Sequence, residues 1–174
     1  MRVTSLTVAA LAAALLLTGC DDGGDGGSGK DNKAGSACAE ELGVRFGPAN
    51  AAPAAGDTGN VPVTVTNSGG AECTLDGLPA IEFDAGGTVT TIGADEAAGV
   101  KKTTLAKGAS TSFTLTYVRG EDGDTKSLPV KQVKISLPGT DETRDFKWSY
   151  GDVALKGDGQ TPDASVSGFQ QSGD

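Results

Sequence analysis

The sequence predicts an all-β protein, an antiparallel β-sandwich, and three observations carry that expectation. Apolar residues recur at every second position in separate short runs between residues 42 and 150. Glycine- and aspartate-containing turns divide those runs at fairly even spacing. No stretch of useful length carries apolar residues at helical spacing. Side chains two apart share one sheet face, so each run buries one face and wets the other. Antiparallel sheets allow this; parallel sheets are usually covered on both sides.

The chain opens on an export leader. Met1-Arg2-Val3 is a small positive start, and Leu6 to Leu17 is apolar apart from Thr7. That run is too short for a spanning helix of ~20 residues. Thr18-Gly19 is a small pair before Cys20, and Asp21-Asp22 end the apolar run at once. Leu17-Thr18-Gly19-Cys20 resembles the bacterial lipobox. The resemblance implies that residues 1–19 are a lipoprotein signal peptide, that Cys20 is the lipidation site, carrying a diacylglyceryl thioether, and that its amine is acylated in many bacteria. Two or three acyl chains anchor stably, because each buried methylene contributes ~0.8 kcal/mol. An ordinary secretory signal with a chance cysteine is the plainer alternative.

Residues 20–37 follow as a Gly/Asp-rich flexible tether. Apart from the anchor cysteine they hold no large apolar side chain, so they have nothing to bury. Seventeen such residues reach on the order of 20–25 Å. Gly24 to Gly29 fits G-x-G-x-x-G in form, but no strand precedes it and no helix follows, so it is linker composition.

A β-sandwich domain is expected over 38–155. Its strands are read at Leu42-Val44-Phe46, Val61-Val63-Val65, Ile81-Phe83, Phe113-Leu115-Tyr117, Val133-Ile135-Leu137 and Phe146-Trp148-Tyr150, with Thr103 and Leu105 as a further strand. Pro62 suggests an edge position or a strand start, because proline cannot donate to a ladder. Ala94 to Ala98 could make one helical turn. The expected core is Val65, Ile81, Phe83, Phe113, Leu115, Ile135, Phe146 and Trp148. Residues 156–174 return to Gly, Asp, Gln, Ser and Pro around a single large apolar residue, Phe169, and are read as a disordered C-terminal tail.

Composition narrows the chemistry. There is no histidine, which removes Ser-His-Asp and Cys-His nucleophile activation and histidine-based zinc or copper sites. The formal charge of −9 makes nucleic acid or anionic lipid headgroups poor partners. No cofactor is indicated. With Cys20 taken by lipid, Cys38 and Cys73 form an even pair in an oxidising compartment and are expected to make a structural disulfide. Closing that loop is worth ~3–4 kcal/mol in the chain-entropy model. No Cys-x-x-Cys is present to suggest redox or metal work.

Within residues 38–149 a family pattern emerges. Val61-Pro-Val-Thr-Val-Thr-Asn67 leads to Cys73-Thr74-Leu75-Asp-Gly77-Leu78-Pro79, and later to Leu105-Ala-Lys-Gly108-Ala109-Ser110. This resembles the actinobacterial exported domains called domain of unknown function 4232. Lys107 stands where that family favours proline, and the later cysteine pair of many relatives is absent. The resemblance implies an immunoglobulin-like β-sandwich on lipoproteins and secreted proteins, and it brings no activity or catalytic residues.

Three residue groups are candidate sites. Glu82 and Asp84 share a strand face and could pair as acid and base, but a solvated outer face is expected, since such work needs burial to shift a pKa. Glu121, Asp122 and Asp124 could bind calcium; a plain acidic hairpin is expected. Trp148 and Tyr150 could stack on a sugar or peptide; core burial is expected. The functional expectation is a lipid-anchored, non-catalytic binding or interaction module on the extracytoplasmic face of the cell membrane, its partner an unknown envelope protein or glycan. The alternative is a carboxylate-dependent extracellular hydrolase such as a glycosidase, which needs two carboxyls ~5–9.5 Å apart in a cleft.

Overall fold

The computed structural model describes residues 38 and 40–171. The leader, Cys20, the tether as far as Ala37, and residues 172–174 lie outside the described residues. Among the described residues thirteen strands follow in order: β1 (Leu42–Phe46), β2 (Thr58–Asn67), β3 (Cys73–Asp76), β4 (Ala80–Asp84), β5 (Val89–Ile92), β6 (Lys102–Leu105), β7 (Ser110–Val118), β8 (Ser127–Leu128), β9 (Gln132–Ser136), β10 (Thr143–Lys147), β11 (Val153–Ala154), β12 (Ala164–Val166) and β13 (Gln170–Gln171).

Every strand pair is antiparallel. One sheet runs β1-β2-β7-β12, with β13 also on β7; the second runs β10-β9-β4-β5. Two short ladders, β3–β6 and β8–β11, complete the set. The long β2–β7 pairing sets Val61 opposite Leu115 and Val63 opposite Phe113, so matched apolar positions face inward together. Ile81 opposite Ile135 and Phe83 opposite Val133 do the same in the second sheet. All of these side chains join one buried core. The architecture is all-β, and it is consistent with an immunoglobulin-like sandwich.

Tyr117 stands opposite Gly59, and a Cβ at that glycine would run into the ring. Glycine is the residue that lets a buried tyrosine lie across its neighbouring strand. The tyrosine hydroxyl is not orphaned: it accepts from Ala52 N at 3.3 Å.

The structure corrects four sequence expectations. The first is the disordered tail over 156–174. β12 and β13 pair with β7, Val166 opposite Leu115 and Gln170 opposite Ser112, so the body extends well past residue 155. Phe169 is buried and meets Phe113 edge-on, ring centroids 5.6 Å apart. Composition missed this because β7 supplies the pairing edge and the core supplies the pocket. The second is Pro62, which lies inside a ten-residue strand with partners on both sides. Its carbonyl accepts from Gly47 N at 2.9 Å, so its missing N–H points the same way, to where β1 has just ended. The third is Ala94 to Ala98, a turn closed by Ala98 N on Asp95 O, with no helix. The fourth is Phe146, which is only half-buried because β10 is an edge strand. The other residues of the expected core are buried.

The two flanks of the sandwich are closed differently. On one, the chain leaving β5 lies along β12: Val166 N donates to Gly93 O, Asp95 N donates to Val166 O, and Ala94 bridges Val166. On the other, no strand pairing joins β1 to β10. Phe46 and Phe146 fill that flank, stacked with centroids 5.5 Å apart.

Candidate functional site

Cys38 and Cys73 are bonded, with Cα atoms 5.5 Å apart. The bridge ties the start of the domain to β3, next to the end of β2. Asn67 at that end holds the turn expected of it, its side-chain oxygen accepting from Gly69 N at 3.0 Å.

Glu82 and Asp84 lie on the outer face of the second sheet, half-buried and engaged. Asp84 accepts from Gly86 N at 2.8 Å and Gly87 N at 3.0 Å. These two N–H groups, Gly87 first, hold its carboxyl below the ordinary range, and Lys134 at 3.8 Å adds to them. A carboxyl kept ionised in this way serves an acid step poorly. Lys134 also reaches Asp145 at 3.3 Å, so one lysine joins β4, β9 and β10 across an ion-paired face.

The acidic loop is likewise spent on itself. Asp122 accepts from Asp152 N at 3.4 Å and stands 3.7 Å from Arg119, while Asp124 accepts from Lys126 N at 2.7 Å. Among the described residues no group of three or more Cys, Asp or Glu is placed to hold a metal ion.

Trp148 is a core residue, its indole N–H donating to Gly151 O at 2.6 Å. Tyr150 is half-buried beside it, ring centroids 5.0 Å apart. Every aromatic residue except Phe113 and Phe169 belongs to the cluster around this tryptophan. The aromatics hold the two sheets together, with Phe46, Phe146 and Tyr150 only partly covered.

A surface that sequence reasoning passed over is the outer face of the first sheet. Its outward positions are Gly43 and Arg45 on β1, Asn60, Pro62, Thr64 and Thr66 on β2, Ser110, Ser112, Thr114 and Thr116 on β7, with Ser165 and Gln170 beyond. The five strands contain no Asp or Glu, and Arg45 is their one charged residue. Polar side chains on this face bond one another: the Thr66 and Ser110 hydroxyls at 2.8 Å, and the Thr116 hydroxyl donating to Asn60 Oδ1 at 2.8 Å. Gly43, Arg45, Thr64, Thr66 and Ser110 border a shallow depression of about 440 Å³. The signal was present as threonine or serine at successive outward positions with no interspersed charge. It is masked because threonine also suits any strand.

Fold and surface define a class of protein: a histidine-free, disulfide-tied, antiparallel two-sheet domain with no buried acid or base among its described residues. Its outer faces differ sharply, one ion-paired and one almost uncharged. The chain belongs to the family described as Domain of unknown function (DUF4232), which matches residues 38–170. That span takes in β12 and all but the last residue of β13. No curated protein and no solved structure matches the chain.

Proposed function

We propose that this chain is a lipid-anchored, extracytoplasmic module that binds a component of the cell envelope without changing it chemically. The observation that carries the reading is the outer face of the first sheet, left uncovered by the described residues and almost uncharged, in a chain of net charge −9. A solvated strand face in an acidic protein normally gathers charge, as the second sheet does; a neutral one is cheaper to strip of water when a partner lands. Glu82 and Asp84 lie on an ion-paired outer face, an arrangement that favours a binding role over acid–base work. The lipobox at Cys20 and the tether after it support the anchor.

Crosslinking in intact cells, followed by purification of the tagged full chain, tests the binding role. One stoichiometric envelope protein or glycan is the expected yield. Release of reducing ends from envelope glycan by the purified chain would instead favour the hydrolase. For the anchor, Cys20→Ala is expected to shift the chain out of the membrane fraction or stall its maturation. Unchanged membrane retention on fractionation refutes the anchor.

A further inference from the structure

We propose that the depression around Gly43 on the first sheet's outer face seats an anionic glycan, with a sugar carboxylate on Arg45 and sugar hydroxyls on Thr64, Thr66 and Ser110. This rests on the binding reading above and names its ligand class.

Charge comes first. The chain carries 23 acidic residues against 14 basic ones, so a polyanion is repelled from most of its surface. The strands of this face hold no acid. The nearest acid before β1, Glu41, has its carboxylate turned over Gly69. Arg45 is exposed and, among the described residues, its guanidinium makes no ion pair or hydrogen bond. A guanidinium presents a planar fork that fits a carboxylate with two parallel hydrogen bonds.

The neighbours complete the match. Threonine and serine hydroxyls both donate and accept, as sugar hydroxyls do. Around that one charged contact, binding strips water only from neutral groups, which costs less than uncovering further ions. Gly43 makes the room. A Cβ at that position would reach Ser68 Oγ at 3.4 Å, an ordinary contact, so a side chain is tolerated there and would fill the hollow. No aromatic ring lies among the outward residues of this face, so stacking gives a neutral sugar no foothold. The carboxylate is therefore the selecting group. A flat, open face binds each chain weakly, and many copies on one membrane along one polymer gain by multivalency.

The test uses the full chain in detergent micelles, titrated with a galacturonic acid hexasaccharide and, in parallel, with neutral maltohexaose. Backbone amide shifts and affinity are read together. The acidic hexasaccharide is expected to bind at least tenfold more tightly and to shift Gly43, Arg45, Thr64 and Thr66. Arg45→Gln should erase that preference. Gly43→Val, with its melting temperature checked against the parent, should weaken binding at least fivefold. Lys134→Gln on the opposite sheet should change nothing. Equal affinity for both sugars, an indifferent Arg45→Gln, or an equal loss in Lys134→Gln overturns the assignment. If neither sugar binds while crosslinking still recovers an envelope partner, the glycan is wrong and the binding module stands. Shortening of the hexasaccharide sinks the binding module itself.

Discussion

Asn67 does three things with one amide. Its nitrogen donates to Ala71 O at 2.8 Å and Leu105 O at 2.9 Å, and its oxygen accepts from Gly69 N at 3.0 Å. It is buried, so each partner it abandons is left without water. An unsatisfied buried group costs ~1–3 kcal/mol, and Asn67→Ala is expected to lose about 2–4 kcal/mol in urea unfolding. The local turn was readable from Asn-Ser-Gly. The tie to Leu105 was not, because nothing in the residue types marks a contact across 38 positions. At the surface, Asp158 is held at a pKa of about 2, first by the Thr161 hydroxyl and then by the Thr161 and Gln160 N–H groups. A carboxyl depressed on folding steadies its loop above the ordinary value of 3.8, and that contribution fades as pH falls towards about 2. NMR titration of the Asp158 carboxyl should give a midpoint of about 2, and Thr161→Val should raise it. A midpoint near 3.8 in the parent chain would show that the loop is not closed this way.

Among the elements, the long alternating strands were legible and the short late ones were not. β2, β4, β7 and β9 announce themselves because period-two burial is written into five to ten consecutive residues. β12 and β13 are three and two residues long, set among Gly, Ser and Asp, and exist because β7 has an edge to offer. Phe169 pins that return. Phe169→Ala is expected to cost about 3 kcal/mol, the range for emptying a buried aromatic site. Ending the chain at residue 163 should do worse, uncovering the β7 edge and giving aggregated material on size-exclusion chromatography. A truncated chain that stays monomeric with its melting point intact would mean that β12 and β13 are ornamental. At the edge that does stay open, β10 turns Arg144 inward, a charge that discourages pairing with a further strand.

For the whole molecule, the even pair of cysteines left after Cys20 foretold the Cys38–Cys73 bridge, and the all-β class followed from periodicity. The two chemically opposed outer faces were harder to foresee. They depend on which strands share a sheet, a matter of long-range pairing that no local pattern states. The bridge spans 35 positions, and a loop of that length implies a loss of ~4 kcal/mol on reduction in the chain-entropy model. Dithiothreitol should lower the melting temperature by on the order of 10 °C. An unmoved melt would mean that the reduced chain is held just as firmly by its strands.

The unequal flanks have a mechanical consequence. Where the chain leaving β5 is laced to β12, the two layers cannot part without breaking backbone hydrogen bonds. Where β1 faces β10, no strand pairing joins them and the rings of Phe46 and Phe146 stack across the gap. Thermal breathing is therefore lopsided, hinging at the laced margin and yawning at the other, so the first greasy surface a transiently loosened molecule offers its neighbours is the one around Phe46 and Phe146.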